Sequence, residues 1–193
     1  MITFLKHAQK LAKTPGAKSR PVLQNAFTNE GGTTVATDSR RIYTIKAEQT
    51  PGLLPLVPGA SEGNYPTVDR LLSPMTDIEY DVPNVYHEQL NLLAKWLSFA
   101  KATKASVKAE VSPDGSLVFS LANTMIQSTI SLTQGAQDET IVSHFDASYL
   151  CDLINYIKDY KTDAVLKVGE HKIAVVANTP QKPSAFLLGI RVK

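Results

Sequence analysis

Cysteine is nearly absent. The single Cys151 among 193 residues leaves no partner for an internal disulfide, so the fold cannot be braced that way and a reducing compartment, the cytoplasm, suits it. Its place in an apolar helical pattern reads as a buried, inert thiol. Long apolar runs are missing too: the best candidate is broken at Pro51, Pro55 and Pro58, which excludes a membrane span. The opening MITFLKHAQKLAK is interrupted by lysines and so lacks the apolar centre of a secretion signal. Charge of one sign is also scarce, since 20 Lys and Arg against 18 Asp and Glu leave +2; a generally basic nucleic-acid coat is excluded, a local basic face is not.

Motifs that carry chemistry are equally sparse. His7, His87, His144 and His171 form no HxxxH, Cys151 forms no CxxC, and no glycine-rich phosphate loop follows a strand. No metal and no cofactor is expected. Asp38 reads as a turn former, and Asp77 and Glu79 read as solvated strand positions rather than a general acid and base. The residues therefore point away from an enzyme.

What is there is an ordinary globular composition, 43% apolar and 20% charged, in a chain long enough for one large or two small domains with real cores. Residues 2 to 13 place Phe4, Leu5, Ala8, Leu11 and Ala12 on one helical face, and Pro15-Gly16 end that pattern. Alternating runs at 22–27 and 33–37, joined by Asn29-Glu30-Gly31-Gly32, predict a hairpin, and Asp38-Ser39 predict a turn into a third run to Ala47. Residues 49–65 read as an irregular connection. Beyond it the order strand, helix, three strands occurs at 78–132, with Pro83-Asn84 opening the helix, and again at 140–193, with Asp146 as N-cap of a helix whose Leu150, Leu153, Ile154 and Ile157 face inward. A first copy without a clear leading strand fills 2–47. The expected class is α+β: repeated β-α-β-β-β units, helices on one face of antiparallel sheets.

Three fragments, RPVLQNAF, ATDSRRIY and EGNYPTVDRLLSP, stand in the order in which the bacterial DNA polymerase sliding clamp (DNA polymerase III beta subunit) carries RPxLxG, ATDxxRLA and GxFPxYxxxxP. HFDASYLCDLINYI is similar to that family's FNxxYLLDAL segment. The resemblance implies a shortened DNA-clamp fold: a half domain plus interdomain connector over 1–74 and a complete domain over 75–193, with helices toward a central hole and strands outward. It implies a processivity or docking factor in DNA replication that takes a partner's short apolar peptide, from a polymerase or another protein with a clamp-binding motif, into a cleft. By position that cleft is Arg20, Leu23, Thr37, Ser39, Arg40 and Ile42, then Pro66, Arg70 and Leu71, then Phe186, Leu188 and Ile190. Read without the resemblance, the apolar members are strand core and the arginines are solvated.

The same resemblance implies contact with duplex DNA, or its encirclement, through Lys6, Lys10 and Lys13 on the first helix, Lys95, Lys101 and Lys104 on the second, and Lys158 and Lys161 on the third. Ser39-Arg40 replaces the family's Gly-His, Tyr65-Pro66-Thr67-Val68 its FPDY, and Gly189-Ile190 its Pro-Met, so peptide preference is expected to differ. With half a domain missing, a homo-oligomer that pairs two N-terminal units is the expected assembly. Two other functions compete: a non-ring adaptor or decoy for clamp-binding peptides, and an accessory or hydrolase domain of a nucleic-acid enzyme.

Overall fold

The computed structural model describes residues 1–76, 80–114, 116–121, 130–133 and 140–189. Helix α1 (Ile2–Leu11) buries Phe4, His7, Ala8 and Leu11, and Pro15 then opens a short second helix, α2 (Pro15–Lys18), at the N1 position where its missing N–H costs nothing. The expected strand at 22–27 begins instead as a 3-10 turn, Pro21–Gln24, because Pro21 fixes its φ and Leu23 N–H bonds to the Arg20 carbonyl at 2.8 Å. Strand β1 (Asn25–Thr28) follows, then β2 (Thr33–Thr37) and β3 (Arg41–Lys46). At the β2–β3 turn the Asp38 carboxylate accepts from the Arg40 and Arg41 amides at 3.1 and 2.9 Å, and Ser39 takes φ +74°. Gly16 lies against this turn: a Cβ there would fall 2.3 Å from the Asp38 carbonyl oxygen.

The irregular connection at 49–65 and the residues just after it form two elements not expected from the sequence. Gly52–Pro55 forms an edge strand, β4, paired to β1, where prolines are tolerated because one side needs no N–H; Val68–Thr76 forms a helix, α3. Pro83-Asn84 does not open a helix but sits inside β5 (Tyr80–Val85), at a bulge where the pairing with the later strand shifts register and Asn84 takes φ +60°. The helix after it, α4, runs His87–Thr103, with its first amide bonded to Asp163 Oδ1 at 2.9 Å. Strands β6 (Ser106–Val111), β7 (Ser116–Leu121) and β8 (Ile130–Thr133) complete that unit. The next has β9 (Ile141–Asp146), α5 (Ala147–Lys158), β10 (Ala164–Gly169), β11 (Lys172–Ala177) and β12 (Ser184–Leu188). Asp146 caps α5 as expected, accepting from the Ser148 and Tyr149 amides at 2.8 and 3.1 Å.

The strands form two antiparallel sheets, ordered β4-β1-β2-β3-β12-β11-β10-β5 and β8-β7-β6-β9. The leading strand of each complete unit pairs with the other unit: β5 with β10, β9 with β6. Neither unit can therefore complete its sheet alone. The N-terminal strands continue the larger sheet through β3 and β12, with Ser184 opposite Thr44 and Phe186 opposite Ile42. Side chains alternate across this sheet. Tyr43, Ile45, Ala185 and Leu187 join the helices in one core that runs from Phe4 through Leu150 and Ile154, while Val35, Ile42, Ala174 and Phe186 form a small cluster on the opposite, outer face. Among the described residues no helix is long and apolar enough to cross a membrane.

Candidate functional site: an outer apolar patch

The outer cluster is built on a row read straight across four strands, Thr37 opposite Ile42, Ile42 opposite Phe186, Phe186 opposite Ala174, with Val35 two residues along β2 from Thr37. Leu71 and Leu72 of α3 and Phe27 of β1 pack on it. Tyr65 stacks on Phe27 with ring centroids 5.7 Å apart and directs its hydroxyl to the Val35 carbonyl at 3.4 Å. Burial pushes the Tyr65 phenol well above its ordinary range, only partly offset by a backbone hydrogen bond from Thr37, so the hydroxyl stays a donor.

Three separate stretches thus converge, and Ile42, Leu71 and Phe186 of the expected cleft meet. Thr37 is buried beside them, its hydroxyl donating to the Arg41 carbonyl at 2.8 Å and accepting from the Ser39 amide at 3.1 Å. Leu188 lies two residues along β12 from Phe186 on the same face, is 48% exposed, and its amide bonds to the Arg40 carbonyl at 3.2 Å. Ser39, Arg40 and Leu188 therefore share one end of the sheet. Pro66 is half-buried, and Arg20 and Arg70 are exposed. Leu23 is buried in its own 3-10 turn and does not join the cluster. Ile190 lies outside the described residues. Arg40 leans toward α5, its guanidinium carbon 5.7 Å from the Tyr149 ring centre.

Reading the sequence missed Phe27, Val35, Leu72 and Ala174 in this patch. Period-two alternation places Val35 with Thr37, but nothing local says which face the connector will cover. It also missed Arg41, which points to the helix side and joins Asp38 to Asp152 of α5 through Nη2 at 2.7 Å and Nη1 at 2.6 Å.

No protein-family model and no curated protein sequence matches the chain. Solved structures do match. The Helicobacter pylori beta clamp in complex with diflunisal is similar at TM-score 0.72 and 12% identity, over 100% of this chain and 64% of that one. The beta chain of Streptococcus pneumoniae DNA polymerase III gives 0.72 and 16%, over 99% and 63%, and the Helicobacter pylori clamp bound to a DNA ligase peptide gives 0.71 and 12%, over 99% and 63%. The chain has the DNA-clamp fold. It spans just under two-thirds of the length of those clamps.

On the helical side of this clamp fold, Lys6, Lys158 and Lys161 surround a concavity of about 380 Å³ shared with Ile2, Thr3, His87, Asn91 and Asp159. Lys101 and Lys104 line a smaller one of about 150 Å³ beside the start of α5. Lys10, Lys13 and Lys95 are exposed and belong to neither. The cationic side is not uniform: Lys6 bonds to Asp159 at 2.9 Å, and α4 exposes Leu92 and Phe99, seven residues apart on one helical face, beside Lys95.

His7 also reaches Asp159, with Nε2 at 3.0 Å, yet it is only 3% exposed between Tyr43 and Tyr156. Burial holds its pKa below the ordinary 6.5 despite the Asp159 hydrogen bond. Burial raises Asp159, but its bonds to Lys6 and His7 outweigh that and hold it below 3.8. Below about pH 6.5 the unfolded chain protonates at His7 before the folded chain does, so stability falls with acid from there, and Asp159 adds a further loss under pH 3.8. Urea midpoints between pH 7.5 and 5 are expected to fall for the wild type and to fall less steeply for His7→Gln, with His144, also shifted down, supplying the remaining slope. Parallel curves for the two proteins would contradict this.

Proposed function

We propose that this chain is a noncatalytic docking factor of the clamp kind, which receives a short apolar peptide from a polymerase or other replication protein on the outer face of its larger sheet. The convergence of Ile42, Leu71 and Phe186 from three distant stretches supports this reading most, together with the exposed Leu188 further along the same face of β12. A similar clamp, that of Helicobacter pylori, binds a DNA ligase peptide. In this reading residues 1–74 serve as a half domain with its connector, 75–193 as the complete domain, and the protein works in the cytoplasm as a homo-oligomer. Arg20, Leu23, Ser39, Arg40, Pro66, Arg70 and Ile190 complete the peptide site. Asp38 is not available for acid-base work, since its carboxylate is taken up by two backbone amides and the Arg41 guanidinium.

The helical side would face duplex DNA through its lysines. The exposed Leu92 and Phe99 favour the adaptor without a ring as the second reading. Retention on circular DNA that is lost on linearisation supports encirclement, and equal, salt-insensitive behaviour on both supports the adaptor. The docking site itself is tested by titrating a fluorescent DNA ligase peptide. Leu188→Asp places a carboxylate where the peptide would bury it and is expected to weaken binding about 100-fold, roughly 2.7 kcal/mol. An unchanged Kd would remove the patch from consideration.

A further inference from the structure

The outer patch is already covered. Val35 and Ala174 are completely buried, Phe186 is 1% exposed and Ile42 7%. These side chains point away from the core that α1, α4 and α5 close, so a sheet alone would leave them in water. Among the described residues, the partly buried apolar side chains that pack on them are Phe27 and the two leucines of α3. That helix turns Asp69, Arg70 and Ser73 outward and keeps Leu71 and Leu72 half-buried beneath it. Its nine residues are too few to hold a helix in water without the surface under them. The segment leading into it is pinned by the Tyr65–Phe27 stack and the Tyr65 hydroxyl on the Val35 carbonyl.

Resting on the docking reading above, we infer that α3 is a built-in cover: Leu72 occupies the apolar floor that a partner's side chain would fill, and docking requires α3 to lift or slide. Leu72 then competes with the partner for Ile42, Ala174 and Phe186, while Leu71, on the same helix, stays a wall of the site as α3 shifts. The affinity observed is the intrinsic affinity multiplied by the fraction of molecules with the cover displaced. Loosening the cover strengthens binding, which is the opposite of what removing a wall of the site does.

The test combines a peptide titration with a floor reporter. Ala174→Cys, in a Cys151→Ser background, places a thiol beneath α3, and Ile42→Cys serves if the first variant unfolds. The thiol is expected to react slowly with a maleimide, and at least about tenfold faster when Leu72→Ala is added. With the DNA ligase peptide, Leu72→Ala is expected to lower Kd at least about threefold. Fast labelling without Leu72→Ala overturns the cover. So does a Kd that is unchanged or raised by Leu72→Ala while the peptide still binds, and the docking reading then stands. Absence of peptide binding by every variant, with the reporter opened by Leu72→Ala, overturns the docking reading and this inference with it.

Discussion

Arg41→Ala is expected to lower the free energy of unfolding by about 3–5 kcal/mol, the range for breaking a buried pair from one side. Arg41 is 3% exposed and Asp38 2%, so alanine leaves the Asp38 carboxylate buried with its two backbone donors but without its counter-charge. Asp152 is about a third exposed, and its bond to Arg41 counts for less. The guanidinium also lies 4.4 Å from the centre of the Tyr149 ring, so packing against α5 is lost as well as charge. Arg41→Lys keeps the charge but not the planar fork that reaches Asp38 and Asp152 together, and is expected to recover only part of the loss. Urea denaturation at constant m-value measures both. A loss under about 1 kcal/mol for Arg41→Ala would mean that water replaces the guanidinium at Asp38.

Tyr156→Ala is expected to cost about as much, roughly 3–5 kcal/mol, for a different reason. The side chain is fully buried, its ring stacked 4.4 Å from Tyr43 at an interplanar angle of 15°, with Phe4 and His7 at its edges. Removing it opens a cavity where α1, β3 and α5 meet, so the N-terminal strands lose their grip on the second complete unit. Tyr156→Phe keeps the ring and forfeits the hydrogen bond from the hydroxyl to the Thr44 carbonyl at 2.7 Å, with an expected cost of about 1 kcal/mol. Because Phe4, Tyr43, Tyr156 and Leu187 belong to one core, calorimetry should show a single transition for the wild type. Two separated transitions, with Tyr156→Ala shifting neither, would show that the N-terminal strands fold apart from the rest.

Both residues went unnoticed in the sequence for physical reasons. In ATDSRRIY the alternation that turns Ile42 outward turns Arg41 and Tyr43 inward, but an arginine at an inward position is read as solvated unless the acids that neutralise it are known, and Asp152 lies 111 residues away. In α5 the stripe Leu150, Leu153, Ile154 and Ile157 is what helical spacing selects; Tyr156 falls beside it and is buried because α1 closes a second side of that helix. The outer patch was legible only in part, for the same reason. Its stretches carry recognisable patterns, yet Val35, Leu72 and Ala174 enter it through strand register and the path of α3, and Leu23 stays out of it.

By itself the chain determined most of its elements, though not β4, α3 or the strand through Pro83-Asn84, together with its repeated unit and the turn at Asp38, because apolar spacing, caps and turn formers act over a few residues. The swap of β5 and β9 between units, the joining of β3 to β12 and the closing of the outer patch by α3 were decided only in the tertiary structure. Each depends on which strand edges and apolar faces remain open once local structure has formed, and that is a property of the whole assembly of elements rather than of any stretch within it.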